Sequence, residues 1–167
     1  PTAVGRKVFL KAETNLGVTG WGEIDQLETT VATALVKSLW ELLDGENPTR
    51  IEHLWQKIYR SHRDIRGGPF MTHTLAGIDM ALWDIAGKHF EVPVYQLLGG
   101  KVRDKVRVQT QVRGPSIDEL VAQARADVAR GITAIRITPF GPDFASLRHD
   151  ALIADAVARV GALREAV

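Results

Sequence analysis

Apolar and polar residues alternate at the start of the chain, in RKVFLKAE (6 to 13) and GVTGWGEI (17 to 24). The intervening Thr14-Asn15-Leu16-Gly17 has the composition of a tight turn, so the pair predicts an antiparallel β-hairpin. The period then lengthens. In TTVATALVKSLWELLDG, Val31, Leu35, Leu39 and Leu42 recur at helical spacing and Gly45 supplies a stop. Thr49-Arg50-Ile51-Glu52 reads as a capping box that opens a second helix, with Ile51, Leu54, Trp55, Ile58 and Tyr59 on one face. SHRDIRGGPF (61 to 70) mixes charges, two glycines and a proline, which is loop chemistry. The run MTHTLAGIDMALWDIAGKHF is apolar on nearly every face, with Leu75, Ile78, Leu82 and Ile85 on one side and Ala76, Met80 and Trp83 on another. It predicts a helix buried all round.

After EVPVYQLLGGKVRD the rhythm changes to strand, helix, strand, helix. KVRVQTQV (105 to 112) is the first strand. Residues 116 to 131 form a helix opened by the capping box Ser116/Glu119 and closed by Gly131. TAIRITPF (133 to 140) is the second strand, and a last helix over about 146 to 166 carries Leu152, Ala156, Val160 and Leu163. This order predicts parallel βαβ units. One residue breaks the pattern: Arg136 stands inside an apolar strand alternation, which predicts a buried arginine.

Composition narrows the partners. With 167 residues, 45% hydrophobic and 25% charged, the chain can build an ordinary core. Its net charge of +1 is spread along the chain, without the basic stripe that nucleic acid or a lipid surface would require. A small-molecule or protein partner is left. Cysteine is absent, which excludes disulfides and thiolate metal sites and fits a reducing compartment, so a cytoplasmic location is expected. Neither a membrane-length apolar run nor a leader segment is visible. A first residue other than methionine, almost at the start of a strand, makes a trimmed beginning an expectation.

Three segments in this order, GVTGWGE (17 to 23), AGIDMALWDIAGK (76 to 88) and PVYQLLGGKVRD (93 to 104), resemble the enolase superfamily in its mandelate racemase and muconate lactonizing branch. RGGPF followed by AGIDMALWDIAGK looks most like the acid-sugar dehydratases, of the galactonate and mannonate type. The resemblance implies an α+β N-terminal capping domain over residues 1–100, followed by the first two βα units of a (β/α) barrel over 101–167. It also implies a Mg²⁺ ion stabilising the enediolate formed when a base removes the proton next to a substrate carboxylate. Dehydration of an acid sugar is the expected outcome, with racemase, epimerase and cycloisomerase chemistry as alternatives within the superfamily. A full barrel takes about 250 residues. The family's metal carboxylates stand on later strands, so they are expected beyond Val167. The chain is accordingly expected to be a truncated piece, inactive alone or a non-catalytic fragment, of an enzyme that is homo-oligomeric at full length.

Within that frame the alternation of TAIRITPF sends Ile135 and Ile137 toward helices and Arg136 and Thr138 into the barrel, at the strand end where such folds keep their chemistry. The family often has Lys-x-Lys here, whereas this chain has Arg136-Ile137-Thr138. Arginine stays protonated, so Arg136 suits charge stabilisation better than proton abstraction; a structural ion pair is the alternative. Thr138 has no useful basicity without a partner. Two capping-domain loops are implied to approach the substrate. Asp25 in one, and His62, Arg63 and Arg66 in the other, are the candidate substrate contacts, the alternative being a solvated loop. The trio Glu23, Asp25 and Glu28 lacks a calcium-loop pattern. Asp79 and Asp84 are expected to be structural partners of Arg or backbone groups, Trp21, Trp40, Trp55 and Trp83 to be core, and His73 and His149 to have no chemical role.

Overall fold

The computed structural model describes residues 7–64 and 66–167, which form two compact units dividing between Val102 and Arg103. Arg6, the first residue of the first predicted strand, lies outside the described residues. The hairpin forms as its alternation predicts. Strands β1 (Val8–Glu13) and β2 (Thr19–Ile24) pair antiparallel, from Val8 opposite Ile24 to Glu13 opposite Thr19. Thr14 N donates to Val18 O at 3.0 Å, and Gly17 takes a left-handed φ of 79° that closes the turn. Leu10, Ala12 and Ile24 face the core, while Phe9 and Trp21 lie on the outer face.

Helix α1 (Thr29–Trp40), helix α2 (Ile51–Ser61), helix α3 (Pro69–His89) and the short α4 (Val94–Leu97) follow. Proline opens α3 at a position where its missing N–H costs nothing. The helix lies so close to β2 that Gly20 and Gly22 leave no room for a side chain of their own. A Cβ on Gly22 would sit 1.8 Å from Gly77 O, and one on Gly20 would sit 2.1 Å from Ala81 O. Asp84 on α3 accepts a hydrogen bond from Trp21 N at 2.8 Å and pairs with Lys88 at 2.7 Å, and Lys88 Nζ also donates to Thr19 O at 2.8 Å. Leu75, Ile78, Leu82 and Ile85 are buried beside Leu54 and Ile58 of α2 and Leu39 of α1.

Four expectations for this unit are corrected by packing. The buried face of α1 runs through Ala32 and Leu39 to Leu43 and leaves Val31 exposed, because the helix rotates to meet α3. Thr49 does not cap α2: Asn47 Oδ1 accepts from both Thr49 N (3.0 Å) and Thr49 Oγ1 (2.8 Å), and the helix starts after Arg50 with no side-chain cap. Ala76 and Met80 form an exposed edge of α3, which is therefore not buried all round. Trp21 and Trp40 are exposed, while Trp55 and Trp83 pack against the core.

The second unit contains β3 (Thr110–Val112), α5 (Ile117–Ala129), β4 (Ile135–Ile137), a 3₁₀ turn (Phe144–Ser146) and α6 (His149–Ala166). β3 and β4 are parallel, with Gln111 opposite Arg136. Val112, Leu120, Ala124 and Leu163 form the core, joined by Ile135 and Ile137. The predicted capping box forms in full: Ser116 Oγ accepts from Glu119 N, and the Glu119 carboxylate accepts from Ser116 N at 3.1 Å. Gly131 (φ 87°) ends α5. Buried Asp127 accepts from Thr110 Oγ1 at 2.8 Å and so links α5 to the start of β3. The strand predicted over 105 to 112 contracts to three residues. Upstream of Thr110 the neighbouring segment is engaged by a side chain instead of a ladder, Arg107 Nε donating to Thr133 Oγ1 at 2.8 Å. Val160 is exposed; the buried face of α6 runs through Arg159 and Leu163.

The backbone contact between β2 and α3 yields a sharp expectation. Gly22→Ala will destabilise the protein by about 3 kcal/mol or more in urea unfolding, because both clashing atoms are main chain. Gly67→Ala, whose Cβ meets nothing within 4 Å, will stay within about 0.5 kcal/mol of wild type.

Candidate active site

In α/β folds the C-terminal ends of parallel strands carry ligands, because loops there are free to vary while the strands hold their bases. That end of β3 and β4 concentrates polar side chains on the face away from α5. Ile135 and Ile137 pack on the helix side as predicted, and Arg136 and Thr138 occupy the other. The predicted burial of Arg136 is corrected: its side chain is exposed, because a two-stranded sheet covered by helices on one face leaves the other open.

A short hydrogen-bonded chain crosses this edge. Arg113 Nη2 donates to Gln111 Oε1 at 2.9 Å, and Gln111 Nε2 donates to Thr138 Oγ1 at 3.3 Å. The backbone N of Arg113 is held by Gln123 Oε1 at 3.0 Å. Beside the chain lies an open hollow of about 620 Å³, whose lining includes Gln111, Arg113, Thr138, Phe140 and Phe144.

Arg159 on α6 bonds one of the loops that frame the hollow and packs close to the other. Its side chain is almost fully buried; Nε donates to Asp155 at 2.8 Å and Nη2 to Pro115 O at 2.8 Å. Gly141, in the loop after β4, comes so near that a Cβ there would lie 2.6 Å from Nη2. One cation is thus bonded to the loop after β3 and lies against the loop after β4. Sequence reasoning missed it because Asp155 and Arg159 sit beside the apolar stripe of α6; their (i, i+4) spacing was the available signal. Gln111 was missed as well, being a polar residue in a strand and distinguished only by what it touches.

The candidates in the first unit are each held by their own neighbours. Asp25 accepts from Gln26 Nε2 (3.1 Å) and Gln26 N (2.9 Å), which hold its carboxyl below the usual range, with smaller help from Lys7 and His73. His62 Nδ1 lies 2.8 Å from Ser61 Oγ, whose proton goes to Ile58 O, so Nδ1 is assigned as the donor. Arg63 is exposed. Arg66 lies 5.0 Å over the Tyr59 ring, and Tyr59 stacks on Trp55 at 4.8 Å, which orders this end of the loop by cation–π contact. Of the acidic trio, Glu23 pairs with Lys7 at 2.5 Å. Among the described residues no group of three His, Asp or Glu side chains stands close enough to hold a metal ion. Asp84 has the backbone partner expected of it. For Asp79, burial and the nearby Glu52 push the carboxyl up. Among the described residues no helix is long and apolar enough to cross a membrane.

Known proteins share this framework. Residues 3–99 match the family described as mandelate racemase / muconate lactonizing enzyme, N-terminal domain. A D-galactonate dehydratase of Ralstonia pickettii (strain 12J) is 43% identical over 163 residues, 96% of this chain and 42% of that protein. One of Cronobacter sakazakii is 49% identical over 119 residues, 70% of this chain and 31% of that protein. The crystal structure of a mandelate racemase/muconate lactonizing enzyme-like protein from Rubrobacter xylanophilus superposes with a TM-score of 0.80 at 31% identity, covering 96% of this chain and 47% of the other. An enolase from Agrobacterium radiobacter, with sodium and L-malate bound, gives 0.82 at 29% identity over 96% of this chain and 41% of its own. The chain thus spans about two fifths of the length of the D-galactonate dehydratase from Ralstonia pickettii.

Two measurements test the electrostatics. Arg159→Met is expected to cost about 2 kcal/mol in urea unfolding, less than a fully buried pair would because Asp155 is part exposed. For Asp79 the folded state favours the protonated acid, so its contribution to stability is present below the ordinary carboxylate pKa and is lost as pH rises through the folded value. Asp79→Asn should therefore raise the Tm at pH 7 and leave it nearly unchanged at about pH 3, where the wild-type acid is already protonated.

Proposed function

The chain belongs to the mandelate racemase and muconate lactonizing enzyme family of the enolase superfamily, and we propose that the protein of which it forms part dehydrates an acid sugar, with D-galactonate as the substrate to test first. Its first unit is the α+β capping domain of that family and its second the start of a (β/α) barrel. The observation that carries the substrate reading is the 43% identity with a D-galactonate dehydratase across 96% of the chain. The reaction we infer removes the proton α to the carboxylate, passes through an enediolate, and expels the β-hydroxyl as water.

The residues at the strand ends have defined work in that reaction. The Arg136 guanidinium offsets the negative charge that grows on the carboxylate oxygens as the α-proton leaves. Thr138 and Arg113 present hydrogen-bonding groups beside it. Arg63 and His62 are proposed to contact substrate hydroxyl or carboxylate oxygens, with Arg66 and Asp25 holding their loops. An arginine and a threonine supply charge stabilisation and donors but no strong base, so these 167 residues are proposed not to catalyse the reaction by themselves. Mg²⁺, as the superfamily implies, would stabilise the enediolate when bound. The described residues offer it no carboxylate cluster, and no step here is routed through it. The same reading carries a cytoplasmic, homo-oligomeric full-length enzyme acting on a small carboxylate.

The test is a panel of sugar acids given to the full-length protein with Mg²⁺, scored for 2-keto-3-deoxy acids. D-Galactonate is expected to be converted; epimerisation without loss of water, or no reaction with any member, would overturn the dehydratase reading. Arg136→Ala is expected to lower kcat by about 10²- to 10³-fold, and Arg136→Lys to recover only part of that.

A further inference from the structure

We propose that Gln111 is a positioning residue that turns the Thr138 hydroxyl into a hydrogen-bond donor for a substrate oxygen. The inference rests on the functional reading above and deepens it. The guanidinium of Arg113 can only donate. Its Nη2 lies 2.9 Å from the Gln111 side-chain amide, so the atom facing it must be the carbonyl Oε1; the reverse orientation would set donor against donor. The amide is planar, and fixing Oε1 on Arg113 directs Nε2 to Thr138 Oγ1 at 3.3 Å. The hydroxyl oxygen therefore accepts at that contact.

A hydroxyl has one proton and two lone pairs. With a lone pair engaged by Gln111, the Thr138 proton is left to point elsewhere, and the hollow lined by Thr138, Gln111 and Phe140 is the open space beside it. Anchoring extends one step further back: the backbone N of Arg113 is bonded to Gln123 of α5, so the guanidinium that sets the amide rises from a fixed strand end. An oxygen that gains negative charge during reaction is the acceptor this arrangement suits, a carboxylate or enediolate oxygen of the sugar acid. No proton is transferred; Thr138 Oγ–H donates and keeps its hydrogen.

Gln111→Glu inverts the arrangement with almost no change of shape. Both carboxylate oxygens accept, so the Thr138 proton is drawn to residue 111 while Arg113 keeps its partner. In the full-length enzyme this change is expected to lower kcat/KM by about tenfold or more with an unchanged Tm. In a Thr138→Val background the same change is expected to cost at least about threefold less, since no hydroxyl remains to be turned. An equal cost in both backgrounds, or none in either, would overturn the proposal. Neutron diffraction of the perdeuterated full-length protein gives an answer independent of activity. Deuterium on Gln111 directed at Thr138, with the Thr138 deuterium directed away, is the expected result, and a Thr138 deuterium pointing at Gln111 overturns it. Should the wild type dehydrate no sugar acid, the functional reading fails while the neutron result still decides the orientation.

Discussion

Everything in the first unit depends on how close a strand can come to a helix. Gly20 and Gly22 alternate on one face of β2, and Gly77 and Ala81 lie one turn apart on α3, so the two backbones meet directly at these residues, flanked by the Ile24 and Ile85 side chains. That approach lets Asp84 reach Trp21 N and Lys88 reach Thr19 O, which fasten polar ends of the strand to the helix. It also sets the height of α3, on whose remaining faces α1 and α2 bury Leu39, Leu54 and Ile58. The loop carrying His62, Arg63 and Arg66 joins α2 to α3, so its two ends inherit their positions from the same contact.

The second unit solves a different problem. A parallel strand pair covered by helices on one face exposes the other, and the exposed face here carries Gln111, Arg136 and Thr138 in place of apolar side chains. Holding the loops around that face takes a buried cation. Arg159 offsets its desolvation with a carboxylate and two backbone carbonyls, Asp155, Pro115 and Gly114, and in doing so ties the chain segment after β3 to α6. The exposed arginine at the strand ends, Arg136, and the buried one beneath the loops, Arg159, thus stand in opposite environments.

Legibility in the sequence followed the range of the interactions. The hairpin and the Ser116/Glu119 box were readable because their partners lie within a few residues. Thr49 misled for the same local reason, since Asn47, two residues away, competes for its hydroxyl and N–H. Helix faces were shifted where a distant partner decides them: Val31 and Val160 have apolar spacing, yet α1 turns Ala32 inward and α6 turns Arg159 inward. Of the candidate site, the strand position of Arg136 was legible from alternation and resemblance, whereas the strand predicted over 133 to 140 contracts to Ile135–Ile137 and leaves Thr138 just past its end; the exposure of Arg136 was not legible, since that depends on how many strands flank the pair. Gln111 and Arg159 carry no signature in residue type; they matter through contacts with Thr138 and with Gly114 and Pro115.

The central claim is that the protein works by breaking the carbon–hydrogen bond next to a carboxylate and losing water. D-Galactonate deuterated at C2, turned over by the full-length protein, tests it most directly. The account predicts a 2-keto-3-deoxy acid from which the C2 deuterium has been lost, formed more slowly than from protiated substrate if bond cleavage limits the rate. A product that keeps that deuterium, or a substrate returned unchanged, would contradict it.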